Sequence, residues 1–239
     1  MIAAVLCAGA LARAEPLVRD RDEVYARLSI EANLQKLKIA RPLSFAPDLY
    51  VGVTDRLTLG LIHSGQSVDR IDTGASFCVR ELARSSCDGI YQGSGLDVRW
   101  AWHAAIVPHA RLLLRDIDPV KPAVTAGTLL RWTRGRYAIT SDPYLRVGLA
   151  NRAEGNRDAL VVPIWLGLHA GSTELSVHTG ISGDLQAWRD GWHVPFALVA
   201  ETVPAREIVL GIEAGFPSLL GPQNNSRTVA IVYAGWRIR

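Results

Sequence analysis

Arg99, Arg111, Arg115, Arg131 and Arg146 occupy polar positions in the middle of the chain, and Glu174, Glu201, Glu207 and Glu213 occupy polar positions later in it. A guanidinium is permanently charged and presents a planar fork of donors to carboxylates and other anions. Two opposed walls of unlike charge would impose a transverse field on anything passing between them. The same groups set in contact would pair across the interior and fill it, because buried charges must be compensated. Both arrangements are open from the sequence. In the first, the nine residues line an aqueous path whose selectivity follows its charge.

Other constellations carry less chemistry. A hydrolase needs a serine within hydrogen-bond reach of a histidine that a third polar group orients. The best approach to this is His63-Ser64-Gly65, where alternation puts His63 on the apolar face with Leu61 and Ser64 on the opposite one, so no catalytic residues are expected. His103 and His109 straddle a turn, and His169, His178 and His193 are scattered without ligand spacing, so no metal is expected. No glycine-rich phosphate loop opens a helix, and no cofactor is implied.

The elements that must position these residues are strands, because the apolar pattern has period two. From Val24, the residues Ala26, Leu28, Ile30 and Ala32 share one face, while Tyr25, Arg27, Ser29 and Glu31 share the other. Eleven further stretches follow, at about 43–53, 57–61, 96–102, 110–115, up to 132, 137–149, 160–168, 175–181, 192–198, 208–214 and from 228 to the C-terminus. The eighth and twelfth are apolar on both faces. Turns are expected at 54–56, 107–108, 133–136, 171–172 and 202–205. Longer polar connections are expected at 64–94, 116–121, 151–158, 182–191 and 217–227.

Short and long connections therefore alternate, and the whole chain from residue 15 resembles a bacterial outer-membrane β-barrel, with short periplasmic turns, longer external loops and an even strand count. That resemblance implies a single antiparallel up-and-down transmembrane β-barrel of about twelve strands, residues 15–239 forming one domain. A secreted soluble sandwich also alternates, with apolar residues inward. The strand number, the connector parity and the mixture of charged with small residues on the polar faces favour the barrel. Trp132 and Trp236 fall near periplasmic strand ends and Trp192 and Phe216 near external ones, as interfacial girdles require. The last strand is similar to the signal read by barrel-assembly machinery, with Trp236 and Ile238 two apart, but it ends on Arg239 where a terminal Phe is usual. Outer-membrane phospholipase A also has twelve strands, yet its His-x-Ser-Asn pattern is not matched at His63-Ser64-Gly65.

Composition bounds the remainder. Hydrophobic residues make up 49% of the 239, but no run approaches the ~20 apolar residues of a membrane-spanning helix. Met1 to Leu11 followed by Ala12-Arg13-Ala14 reads as a secretory signal peptide over 1–14, cut after Ala14, although it has no basic start. Cys78 and Cys87 lie in the longest polar connection, where an oxidising compartment favours a disulfide. A net charge of +3 and the absence of a basic, aromatic-laced tract exclude a nucleic-acid partner. Lysine occurs only at 36, 38 and 121, so arginine supplies nearly all the positive charge.

The expected protein is exported through the periplasm to a Gram-negative outer membrane, where its partners are membrane lipids and assembly machinery. It is not an enzyme but a passive channel for small polar or anionic solutes. The alternative is a non-conducting structural barrel that displays the 64–94 loop, and a lipid-face hydrolase ranks below both. Oligomeric state is not legible.

Overall fold

Alternating residues can close a sheet only if every strand finds two neighbours, and a computed structural model shows this closure. It describes residues 16–34, 43–64, 77–78, 93–222 and 228–239. The strands are β1 (Val24–Asn33), β2 (Leu43–Gly52), β3 (Leu57–Ile62), β4 (Phe77–Cys78), β5 (Ser94–Trp100), β6 (Ile106–Ile117) and β7 (Val120–Arg134). They continue as β8 (Tyr137–Ser141), β9 (Tyr144–Gly148), β10 (Ala159–Ala170), β11 (Thr173–Asp184), β12 (Val194–Ala205), β13 (Ile208–Leu220) and β14 (Val229–Ile238).

Fourteen segments make twelve staves. β8 and β9 are one stave interrupted at Asp142-Pro143, since each pairs with β7 on one side and β10 on the other. β4 continues the β3 stave along β2. β1 pairs antiparallel with both β2 and β14, which closes the barrel and leaves no free edge.

Exposure decides which face meets which solvent. Leu96, Leu112 and Leu198 are 54%, 52% and 61% exposed, whereas Asp97 and Arg111 are 1% and 5% exposed. The apolar faces point outward and the charged faces inward, the reverse of a soluble sandwich. In water such a belt would forfeit about 25 cal/mol for every Å² left uncovered, so hydrocarbon is its natural solvent. Trp100, Trp102, Trp132, Tyr137 and Trp236 are exposed around the end where β1 begins and β14 finishes, where an aromatic girdle belongs. Trp192 and Phe216 are only half-exposed.

The interior next to β1, β2 and β14 is filled by aromatic rings. Tyr25, Tyr50 and Tyr233 are buried there, and Tyr233 lies directly across from Gly211. A side chain at position 211 would overlap the Tyr233 ring, so the missing Cβ makes the seat for the phenol.

The residues before β1 also enter the barrel. Leu17 is buried against Ala101, Val107 and Leu129 on the inner faces of β5, β6 and β7. The Arg19 amide donates to Thr58 Oγ1 at 2.8 Å, and its guanidinium lies 3.9 Å from the centre of the Tyr25 ring. The Asp22 amide donates to the Gly52 carbonyl at 2.8 Å, and Gly52 returns a 2.9 Å bond to the Glu23 carbonyl. A Cβ on Gly52 would strike the Asp20 carbonyl. Residues 16–23 thus form an inward-turned segment at the terminal-bearing mouth, an arrangement that alternation did not predict.

Several boundaries differ from expectation. The turn placed at Val107-Pro108 lies instead at 102–105, and β6 runs through Pro108. The His103–Ile106 bonds set the parity by which Pro108 nitrogen faces β5, one residue beyond the last β5–β6 pair, Arg99 with His109. The expected 116–121 loop is a tight turn at 118–119, with Ile117 paired to Val120 and Lys121 Nζ 2.9 Å from Asp116 Oδ2; its charges and proline read as a loop but staple a hairpin. The turn expected at 202–205 shifts to 206–207, because Pro204 and its neighbours are absorbed in a register irregularity of β12. The signal segment 1–14, most of the 64–94 connection and the Cys78–Cys87 disulfide lie outside the described residues.

Candidate pore

On the β5–β9 wall, register sets Asp97, Arg111, Thr125 and Arg146 side by side on successive staves. Arg99 Nε donates to Asp97 Oδ2 at 2.8 Å, and Arg111 Nε lies 3.6 Å from Asp97 Oδ1. Arg111 Nη2 also donates to Asp142 Oδ2 at 2.7 Å, while His109 Nε2 is 2.6 Å from Asp142 Oδ1. The Arg99 guanidinium sits 4.3 Å from the Tyr50 ring centre and that of Arg111 5.6 Å from Tyr144. These groups form an ion-paired network in place of a bare positive wall, although Asp97 Oδ1, His109 Nδ1 and Arg111 Nε are buried without a hydrogen bond.

The other arginines of this wall are tied to neutral acceptors as well. Arg115 Nη1 donates to Asn156 Oδ1 at 3.1 Å, and buried Asn156 donates to the Pro122 and Ala150 carbonyls at 2.7 Å each. The 149–158 connection is thereby folded onto the barrel mouth. Arg146 reaches the Arg157 carbonyl at 3.3 Å through Nε and Nη2, and Arg131 Nε donates to Thr140 Oγ1 at 3.3 Å.

The opposite wall, β10 to β13, is built differently. Glu174 Oε2 lies 3.3 Å from His169 Nδ1, and Glu213 Oε1 lies 2.8 Å from His178 Nδ1. The His178 ring stacks on Trp165, centroids 4.5 Å apart. Tyr233 hydroxyl donates to Glu201 Oε2 at 2.9 Å. Burial is uneven here: the Glu174, His178 and His169 side chains retain 22%, 16% and 14% of their surface, whereas Val209, Ser176 and Glu213 are buried. Glu207 is not on this wall, since it sits exposed in the turn between β12 and β13. Alternation extended one residue before Ile208 would turn it inward, but the strand begins only at Ile208.

His63 also departs from expectation. It is buried, not on the lipid face, and its amide and that of Ser64 both donate to Asp48 Oδ1, at 2.6 and 2.9 Å. The carboxylate draws the chain inward just past β3 and breaks the alternation there. A serine–histidine contact does exist elsewhere, Ser182 Oγ to His193 Nε2 at 2.7 Å. The two residues are bridged through their backbones at 3.0 and 2.8 Å, so strand pairing accounts for it. Among the described residues no group of three His, Cys, Asp or Glu side chains could hold a metal ion.

Sequence reasoning passed over Asp142, the hub of the β5–β9 network, because it lies at a proline-broken point of a stave. The Asp-Pro pair inside an otherwise regular strand is the signal that could have marked it. Asp97 was legible as sharing a face with Arg99, two residues on, but not as the partner of Arg111.

No protein-family model matches this sequence, and no curated protein is similar to it. Solved structures do match the fold. An outer membrane channel from Pseudomonas putida F1 aligns over 95% of this chain and 100% of its own, with a TM-score of 0.55 and 11% identity. The NanC porin aligns over 90% of this chain and 100% of its own, with a TM-score of 0.52 and 8% identity. At these identities the likeness is one of fold. With an apolar exterior, a charged interior and a closed ring of twelve antiparallel staves, the chain is an outer-membrane β-barrel.

Proposed function

We propose that this barrel is a narrow passive channel for small polar solutes in a bacterial outer membrane, reached by export through the periplasm after cleavage following Ala14. The observation that carries this reading is the residual exposure of the inward Glu174 and His178 side chains, 22% and 16%, beside the buried Asp97 and Arg111. Twelve staves enclose more than the eight that side chains can fill and less than the sixteen of a wide pore. The arginine network and the 16–23 segment occupy part of this interior and narrow it.

The resemblance of the fold to channels supports the reading. An anionic solute would have to compete with Asp97 and Asp142 for Arg99 and Arg111. Polar solutes passing along β10 to β13 meet no such competition. The outward exposure of Trp236 and Ile238 of β14, 43% and 60%, supports contact with lipid and, through the last strand, with assembly machinery.

The test is single-channel recording of the refolded protein in planar bilayers, together with a variant lacking residues 16–20. Small discrete conductance steps, enlarged in the variant, support the channel. Absence of conductance from both proteins would refute it and leave a structural barrel.

A further inference from the structure

We propose that the tip of the β7–β8 hairpin binds the phosphate of an anionic phospholipid headgroup, between Arg134 on the outer face of β7 and Arg136 in the turn. Outward residues recur at every second position of β7, through the exposed Val124, Leu130 and Trp132, and Arg134 is the next member of that series. Within one strand the outer face thus passes from aliphatic side chains through an indole to a guanidinium. That is the order met on crossing from acyl chains to headgroups. Arg134 pairs across the hairpin with the exposed Tyr137, as Trp132 pairs with the outward Ile139. Gly135 turns the chain at a φ of 59°, and a Cβ there would meet nothing within 4 Å, so the tip stands clear of the rest of the barrel.

Charge supplies the second indication. Arg134 and Arg136 are exposed, and among the described residues neither guanidinium has an ion pair or hydrogen bond. Residues 98–115 and 120–141, which carry the exposed Trp102, Trp132 and Tyr137, contain no aspartate or glutamate. On the flanking hairpins, Glu174 turns inward to His169, and Asp55 Oδ1 accepts the Arg21 amide at 3.4 Å. At the opposite mouth Arg152 and Arg157 do find carboxylates, in Asp158 and Asp184. Two permanent cations that the chain leaves unneutralised are complementary to an anion, and a guanidinium fork takes phosphate oxygens in pairs. Trp132, Ile139 and Tyr137 offer an apolar bed for the acyl chains on the same outer face. A soluble anion would use only the arginines, whereas a phospholipid uses both parts of the surface.

The experiment titrates the refolded protein, in neutral detergent, with phosphatidylglycerol or with phosphatidylcholine of the same acyl chains, and follows the first bound lipid by native mass spectrometry. Phosphatidylglycerol should bind roughly fivefold or more tightly than phosphatidylcholine. Arg134→Gln with Arg136→Gln should bring the two affinities together, whereas Arg152→Gln with Arg157→Gln at the opposite mouth should leave the preference intact. Equal binding of the two lipids by the intact protein overturns the proposal, and so does a preference unchanged in the Arg134→Gln, Arg136→Gln variant. Glycerol phosphate bound as tightly as the lipid would assign the arginines to a soluble anion, and an acidic peptide that displaces phosphatidylglycerol at equal concentration would assign them to a protein partner; either result overturns the lipid site. If the double variant fails to refold, the single substitutions decide, since each should lose part of the preference and an unchanged preference in both overturns the site.

Discussion

The β5–β9 and β10–β13 walls are made by the same alternation of apolar and polar residues, yet they handle inward charge in opposite ways. On the first, Arg99 and Arg111 share Asp97, and Arg111 and His109 share Asp142, so the charges bind the staves to one another and fill space. On the second, Glu213 pairs with the His178 imidazole and Glu201 with the Tyr233 phenol, while Glu174 lies 3.3 Å from His169 and keeps part of its surface open. The difference lies less in how many charges face inward than in whether unlike charges lie on adjacent staves at one level. On the first wall opposite charges are neighbours, whereas on the second the neighbours Glu174 and Glu201 carry the same charge.

The largest break in this contrast should come from Asp142→Ala, which strips a carboxylate from buried Arg111 and His109. A loss of about 3–5 kcal/mol in unfolding free energy is expected, read from urea titrations of the barrel in vesicles. The matching change on the open wall, Glu174→Gln, should cost less than about 1 kcal/mol, since that pair is partly exposed. Equal losses would erase the distinction between the walls.

Inside and outside can be exchanged next. Leu112→Arg puts a charge on the lipid face mid-strand and should cost about 2–4 kcal/mol. Val161→Arg points into the free part of the lumen, and it should leave the unfolding midpoint nearly unchanged while altering conductance. If the two substitutions reversed these effects, the assignment of faces would be wrong.

A smaller effect is expected at Leu17. Its truncation, Leu17→Ala, removes an apolar anchor from the 16–23 segment, about 2 kcal/mol of local docking. Faster amide exchange of residues 17–22, without change in the strands, is the result that matches a segment packed onto β5, β6 and β7. The smallest is Glu207→Gln, within about 0.5 kcal/mol and with unchanged ion preference, because this residue lies in an exposed turn. A clear shift of selectivity would return Glu207 to the lumen.

How much of this was legible varies from residue to residue. Arg111 could be placed on an inward face because Leu112 and Leu114 flank it with outward leucines, and local alternation suffices for that. Its partner Asp142 is far along the chain and reaches it only because β7 and the broken β8–β9 stave bring them together, which no local pattern encodes. His63 was misplaced because alternation assumes a strand continues, whereas Asp48 captures two successive amides and turns the chain in. The 116–121 segment read as a loop because proline and charge are loop-like, although an Asp116–Lys121 ion pair makes them a hairpin.

What the sequence alone determined is the side each strand residue faces, and with it the barrel, its lipid-facing exterior and the inward set of charges. Period two follows from backbone geometry within one strand and needs no knowledge of neighbours. What only the tertiary structure decided is which inward charges meet. That depends on register between strands distant in sequence, on the stave break at Asp142-Pro143, and on a segment before the first strand that folds back inside. Those relations convert two predicted walls of opposite charge into one filled wall and one open, acidic wall.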